Sequence, residues 1–242
     1  MKALLAALLL SISANSIADN STFRFPLPFN NLFINANSDG FYENQPDPSG
    51  SDNDNIDEGS VFGCDNPDNV GSIGSNGKCS GKLIVSNELL KSIVDTRGDY
   101  SDEAIYTGQV TNMSSLFYNE FIIYSISGWD ISNVTDMSYM FRFSRFTPSS
   151  LSSGGIEQWN VSSVINMKGM FSDASRFSQD ISNWDVSNVT NMDSMFFNAT
   201  EFGRQTDGIA NWCVINISHE PELFSYRANL HQDKRPRWGT CP

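Results

Sequence analysis

Two carboxylates occupy one position of a repeated phrase. Asp130 follows Trp129 and Asp185 follows Trp184. A pair of carboxyl groups held about 5–10 Å apart is the equipment of glycoside hydrolysis. Asn160 and Cys213 stand at the same position in the other copies. The position therefore also suits a turn, because Asp and Asn both accept hydrogen bonds from backbone close by in sequence. A second acidic set, Asp52, Asp54 and Asp57, approaches calcium-loop spacing, although Asn55-Ile56 stands where the turn glycine belongs. Arg97-Gly98-Asp99 spells the tripeptide that integrins recognise in some adhesive proteins. The histidines are His219 and His231, and the chain has no nucleophile elbow, HExxH, phosphate loop or dinucleotide fingerprint. The expectation is a protein that is not an enzyme and carries no cofactor, with the three Asp as calcium candidates. A secreted carboxylate-dependent hydrolase and a calcium-stiffened structural surface component stand as alternatives.

The elements that position these residues come from a repeat. Trp129, Trp159, Trp184 and Trp212 are separated by 30, 25 and 28 residues, and each is followed twelve residues later by a Phe: Phe141, Phe171, Phe196 and Phe224. Met137 and Met140, Met167 and Met170, and Met192 and Met195 recur at the same two offsets. An earlier copy, IYTGQVTNMSSLF at 105–117, has Ile105 in place of Trp and ends on Phe117. In the last copy Glu220 and Leu223 fall at the Met offsets. Met, Met and Phe at i, i+3 and i+4 predict one face of a short helix, with Thr190 or Asn191 at its start. Upstream, FSQDISNW alternates as a strand does, with Phe177 and Ile181 on one side.

A helix of two turns does not stand alone in water, and one buried Trp contributes only about 4–6 kcal/mol at roughly 25 cal/mol per Å². The copies must therefore stack, each Trp, Met and Phe on its counterpart in the next copy. The predicted fold is α/β: a short leucine-rich-repeat-like solenoid of about 25–30-residue strand–turn–helix repeats with N- and C-terminal caps. Residues beyond the shortest unit, at 147–158 and 204–211, are expected as loops.

The string WDVSNVTNMDSMF, with its near copies, resembles the repeats of the BspA-like (DUF285-type) surface-protein family, which belong to the leucine-rich-repeat superfamily. The likeness spans about residues 105–224. It implies an exported or surface protein that binds proteins and serves adhesion, and it brings no shared catalytic residues.

MKALLAALLLSISANSIA at 1–18 reads as a secretory signal: Lys2, an apolar run over 3–10, then small residues at Ser16 and Ala18. Residues 19–60 are expected as an acidic flexible leader, 61–104 as an N-terminal cap, 105–224 as the repeats and 225–242 as a C-terminal cap or tail. Four cysteines in an exported chain predict disulfides. Three connectivities are open, and Cys64–Cys79 with Cys213–Cys241 is favoured because each pair sits at one end of the chain. No CxxC spacing supports zinc. A net charge of −13 disfavours nucleic acid and anionic membrane as partners, and no segment is apolar enough for a membrane span. The partner expected is an extracellular protein or glycan. NxS/T sequons at Asn133, Asn160, Asn188 and Asn198 belong to the repeat phrase itself.

Overall fold

The computed structural model describes residues 63–146, 155–204 and 208–242, with the backbone of strands β1 (Phe23–Arg24) and β2 (Phe33–Ile34). The chain forms two compact units, Met1–Phe62 and Gly63–Pro242. In the first, β1 and β2 pair antiparallel, Phe23 opposite Ile34.

The second unit begins with two 3₁₀ turns, Pro67–Asn69 and Gly77–Cys79, then strand β3 (Leu83–Ile84) and helix α1 (Asn87–Asp95). The Ser86 side chain caps α1 by accepting the Leu89 N–H at 3.3 Å, and Leu90 and Val94 enter the core. At the other end Arg97 takes a left-handed φ of 57°. Its N–H reaches the Val94 carbonyl at 2.9 Å, and the Gly98 N–H reaches Ile93 at 2.8 Å, a Schellman closure. Strand β4 (Ile105–Tyr106) pairs parallel with β3, and β5 (Phe121–Ile122) pairs parallel with β6 (Arg145–Phe146).

The expected strand–turn–helix solenoid is not the fold. Among the described residues the repeat region contains no α-helix, its sheets are pairs of two-residue strands, and most of it is turn. The Met-Met-Phe segment shows why. Tyr139 and Phe143 have φ of 56° and 58°, and a left-handed residue every fourth position stops α-helix propagation. Met140 N–H bonds Met137 O at 3.2 Å and Ser144 N–H bonds Phe141 O at 3.0 Å. These are successive four-residue turns with positive φ at the third residue, the type II pattern.

The Arg142 N–H also stays local, bonding Tyr139 O at 3.1 Å, and the amides between these leave the segment. Met137, Tyr139, Phe141 and Phe143 donate to the carbonyls of Asn166, Lys168, Met170 and Ser172 at 2.8–3.0 Å. The same alternation links residues 113–119 to 136–142 and residues 167–173 to 191–197. Two such turns in series direct positions 1, 4, 5 and 8 inward, here Met137, Met140, Phe141 and Ser144, all buried. A helix buries nearly the same positions, and for that reason the spacing read as one.

The last copy is displaced by one residue. Phe196 N–H donates to Phe224 O, whereas Phe171 donates to Met195 and Phe141 to Met170. Leu223, with φ 53°, matches Ser194 at φ 56°. Phe224 thus fills the place of the second Met, and Pro221 that of the first. Correspondingly, Phe196 and Phe224 meet edge-on, at 89°.

Glycine fills the left-handed turn position once, at Gly169 (φ 59°), and a Cβ there would meet the Tyr139 ring at 2.5 Å. Gly169→Ala is expected to lower stability by about 1–3 kcal/mol. Ser194→Gly, at the equivalent place, should raise it by up to about 1 kcal/mol. Urea unfolding followed by Trp fluorescence measures both, and equal stability of the two variants would contradict the left-handed turns.

Candidate functional site

Each repeat Trp is buried and donates its indole N–H backward to one carbonyl. Trp129 reaches Tyr100 O, Trp159 reaches Ile126 O and Trp184 reaches Ile156 O, each at 3.0 Å, and Trp212 reaches Ile181 O at 3.1 Å. From Trp159 onward the acceptor lies three residues before the preceding Trp and also receives that Trp's own backbone N–H. Trp129 and Trp159 stack at 6.4 Å and 6°. Phe117, Phe141, Phe171 and Phe196 form a column with centroids 5.5–5.7 Å apart and interplanar angles of 3–12°, within the range of favourable offset stacking. Met137, Met140, Met167, Met170, Met192 and Met195 are fully buried beside them. A second column, Phe146, Phe177 and Phe202, runs alongside.

The polar residues of the phrase act on backbone. Asp130, Asn160 and Asp185 each accept the N–H of the Ser two residues on, at 3.0–3.2 Å. Burial raises the Asp130 carboxyl, but hydrogen bonds from the Ser132 hydroxyl and amide, with Lys78 at 3.3 Å, outweigh it and hold the pKa below the ordinary value. The Ser187 hydroxyl and amide lower Asp185 in the same sense. A depressed pKa suits a fixed acceptor better than a proton donor. The sequons are partly occupied by the same work. The side-chain amides of Asn133, Asn188 and Asn216 donate to Gly108, Ser162 and Ser187 carbonyls at 2.7–2.8 Å, and that of Asn198 donates to Asp173. No such donation is made by Asn160, whose oxygen serves the Ser162 turn.

The cysteines bond as Cys64–Cys79 and Cys213–Cys241. Near the first pair, burial and the neighbouring Asp130 push Tyr106 up to about 12. Arg97 and Gly98 of the tripeptide close α1, and Asp99 accepts the Ser101 N–H at 2.9 Å. Arg97 and Asp99 are exposed and Gly98 is buried. Asp52, Asp54 and Asp57, with the signal-like segment 1–18, lie outside the described residues, as does 147–154 of the first expected loop. Among the described residues no cluster of His, Cys, Asp or Glu has the makings of a metal site, and no helix is long and apolar enough to cross a membrane.

The repeat phrase does not mark one surface that the structure does. Tyr118, Phe121 and Phe143 are exposed by 46, 56 and 39%. Tyr118 meets Phe143 edge-on at 5.8 Å. Arg142 lies 4.9 Å over Phe143 and 5.6 Å over Tyr139, and Arg145 lies 5.1 Å over Phe121, all within cation–π range. The turns place these residues: Tyr139 and Phe143 are the left-handed positions, Arg142 precedes the second of them, and β5–β6 pairing sets Phe121 beside Arg145. The sequence did contain a signal, FRFSRF at 141–146, but its two inward Phe hid the outward Phe143 and the arginines.

A family model described as "Mycoplasma protein of unknown function, DUF285" matches residues 100–153 and 111–238. No curated protein and no solved structure matches the chain.

The depressed carboxyls set a pH dependence. The stabilisation from Asp130 and Asp185 is present above the unfolded-state value of about 3.9 and is lost as pH falls through the lower folded value. Asp185→Asn should keep the turn, as Asn160 does, while removing that share of the acid sensitivity. Thermal melts over a falling pH series check this, and a variant that loses stability near neutrality while its acid slope stays unchanged would contradict the turn role.

Proposed function

Since the chain belongs to the family described as "Mycoplasma protein of unknown function, DUF285", matched over more than half its length, we propose that it is an exported interaction module that holds a macromolecular partner outside the cell, with adhesion as its use, and that it works without catalysis. The observation that carries this reading is the cluster of the exposed Tyr118, Phe121, Phe143 and Arg145 with the half-buried Tyr139 and Arg142. Aromatic rings and arginine are the side chains that dominate binding energy at protein interfaces, and large apolar groups left exposed together mark interaction sites.

The surroundings support it. Two disulfides fit an oxidising compartment. The carboxylates that suggested hydrolysis are engaged in turns two copies apart, each with its own Ser partner. The Arg97-Gly98-Asp99 segment is a helix closure first, so binding is assigned to the aromatic cluster.

The test is binding of the purified disulfide-bonded protein to immobilised extracellular-matrix and cell-surface proteins and glycans. The Phe121→Ser/Phe143→Ser double variant should bind about tenfold or more weakly. Ile215→Ser, which changes an exposed residue in the last copy, should bind as the parent does. Saturable binding that Phe121→Ser/Phe143→Ser leaves intact would move the site elsewhere, and no saturable binding to any component would remove the proposal.

A further inference from the structure

We propose that the row Phe121, Arg145 and Arg176, flanked by Tyr118, Arg142 and Phe143, receives an acidic protein partner whose carboxylates are set among apolar side chains. This rests on the interaction-module reading and gives the partner its chemistry.

The row is built by the fold. Phe121 pairs with Arg145 in the β5–β6 register. Arg145 and Arg176 each precede a Phe of the second column, Phe146 and Phe177, whose rings are 5.6 Å apart. Arg176 is therefore the counterpart of Arg145 one copy on, and both are exposed.

The charges on this row are unmatched in a chain with charge of the opposite sign in excess. The net charge is −13, and four other cations of the second unit find carboxylates: Lys78 with Asp130, Lys91 with Asp95, Arg204 with Glu201 and Arg235 with Glu220. Lys82, Arg97, Lys168, Arg227 and Arg237, in contrast, stand apart along the chain without an ion pair among the described residues. Among the described residues Arg145 and Arg176 have no carboxylate partner. Arg142 comes only within 3.9 Å of Asp173 through Nε, and that nitrogen makes no hydrogen bond. Arg142 and Arg145 instead lie over aromatic rings. A guanidinium drawn to a ring by its charge has used none of its five N–H donors on a carboxylate, and its planar fork matches one.

The choice of a protein follows from the rest of the surface. Small ligands need an enclosing pocket, and among the described residues none of these six lines the hollow bordered by Asn87 and Leu116 or that bordered by Thr190 and Pro221. A long polyanion would meet the acidic body beyond the row and be repelled. A partner with a few carboxylates among apolar groups matches both the arginines and the rings, and charge complementarity of this kind sets specificity and association rate.

The probe is a random-peptide phage library panned on the full disulfide-bonded chain, with selected peptides resynthesised for affinity measurement. Selected peptides should be enriched in Asp and Glu beside aromatic or aliphatic residues. Their Kd should rise about tenfold or more on Arg145→Glu/Arg176→Glu, less on Arg145→Gln/Arg176→Gln, and affinity should fall as salt rises. Unchanged melting temperatures confirm that the variants fold. Peptides without acidic enrichment, or with affinity indifferent to the arginines, overturn the proposal. If those peptides are still lost on Phe121→Ser/Phe143→Ser, the interaction face stands and only its acidic chemistry fails; indifference to both changes removes both readings. Polyglutamate or heparin binding as tightly as the selected peptides would also overturn it, in favour of a general polyanion.

Discussion

The repeat region depends on how each backbone N–H is shared between its own copy and the next. Within one eight-residue stretch, alternate amides close local turns, and those between them cross to the following copy. A buried peptide group must be paired. A helix would satisfy its amides internally and leave nothing to join the copies. A regular strand would commit them to neighbours and leave no inward doubling of side chains. The alternation achieves both, and its requirement is a left-handed residue at every fourth position. Side chains as unsuited to that conformation as Tyr139, Phe143 and Leu223 are held there by the neighbouring copies.

Side-chain bonds repeat the same logic. The indole N–H of each Trp and the carboxamides of Asn133, Asn188 and Asn216 reach back to carbonyls of the preceding copy, while Asp130, Asn160 and Asp185 organise turns locally. These bonds explain why the phrase tolerates Asp or Asn after Trp: the acceptor oxygen is common to both. They also explain why Ser163 stands in for Asn in one copy with a rung missing rather than a broken core, since Val164 beside it stays buried. Outward positions carry no such requirement. The ladder fixes where they point but not what they are, and the freedom of those positions allowed Phe121 in one copy where the next two carry Arg145 and Arg176.

The same distinction decides what was legible in the sequence. Trp129, Trp159, Trp184 and Trp212 announce a repeat because each makes a bond that only an indole of that reach can make. Cys64 and Cys79, and Cys213 and Cys241, are neighbours because each pair tethers one end of the unit. Hidden from view was the turn geometry, since Met137, Met140 and Phe141 are buried alike by a helix or by two successive turns. Hidden too was the slip in the last copy, where one extra residue between Ser218 and Pro221 left Phe224 at the familiar distance from Trp212 but in the place of a Met. The aromatic–arginine face was hidden as well, because the stacking of the copies constrains the inward residues of the phrase and leaves the outward ones free.

Scalar couplings across hydrogen bonds, measured by NMR on isotope-labelled protein, test the alternation most directly. The account predicts correlations from the amide nitrogen of Tyr139 to the carbonyl carbon of Lys168, from Phe141 to Met170, and from the Trp159 indole nitrogen to Ile126, with Met140 coupled to Met137. Correlations running from Phe141 to Met137 instead, four residues back within one segment, would mean a helix and would contradict the shared backbone on which the structure rests.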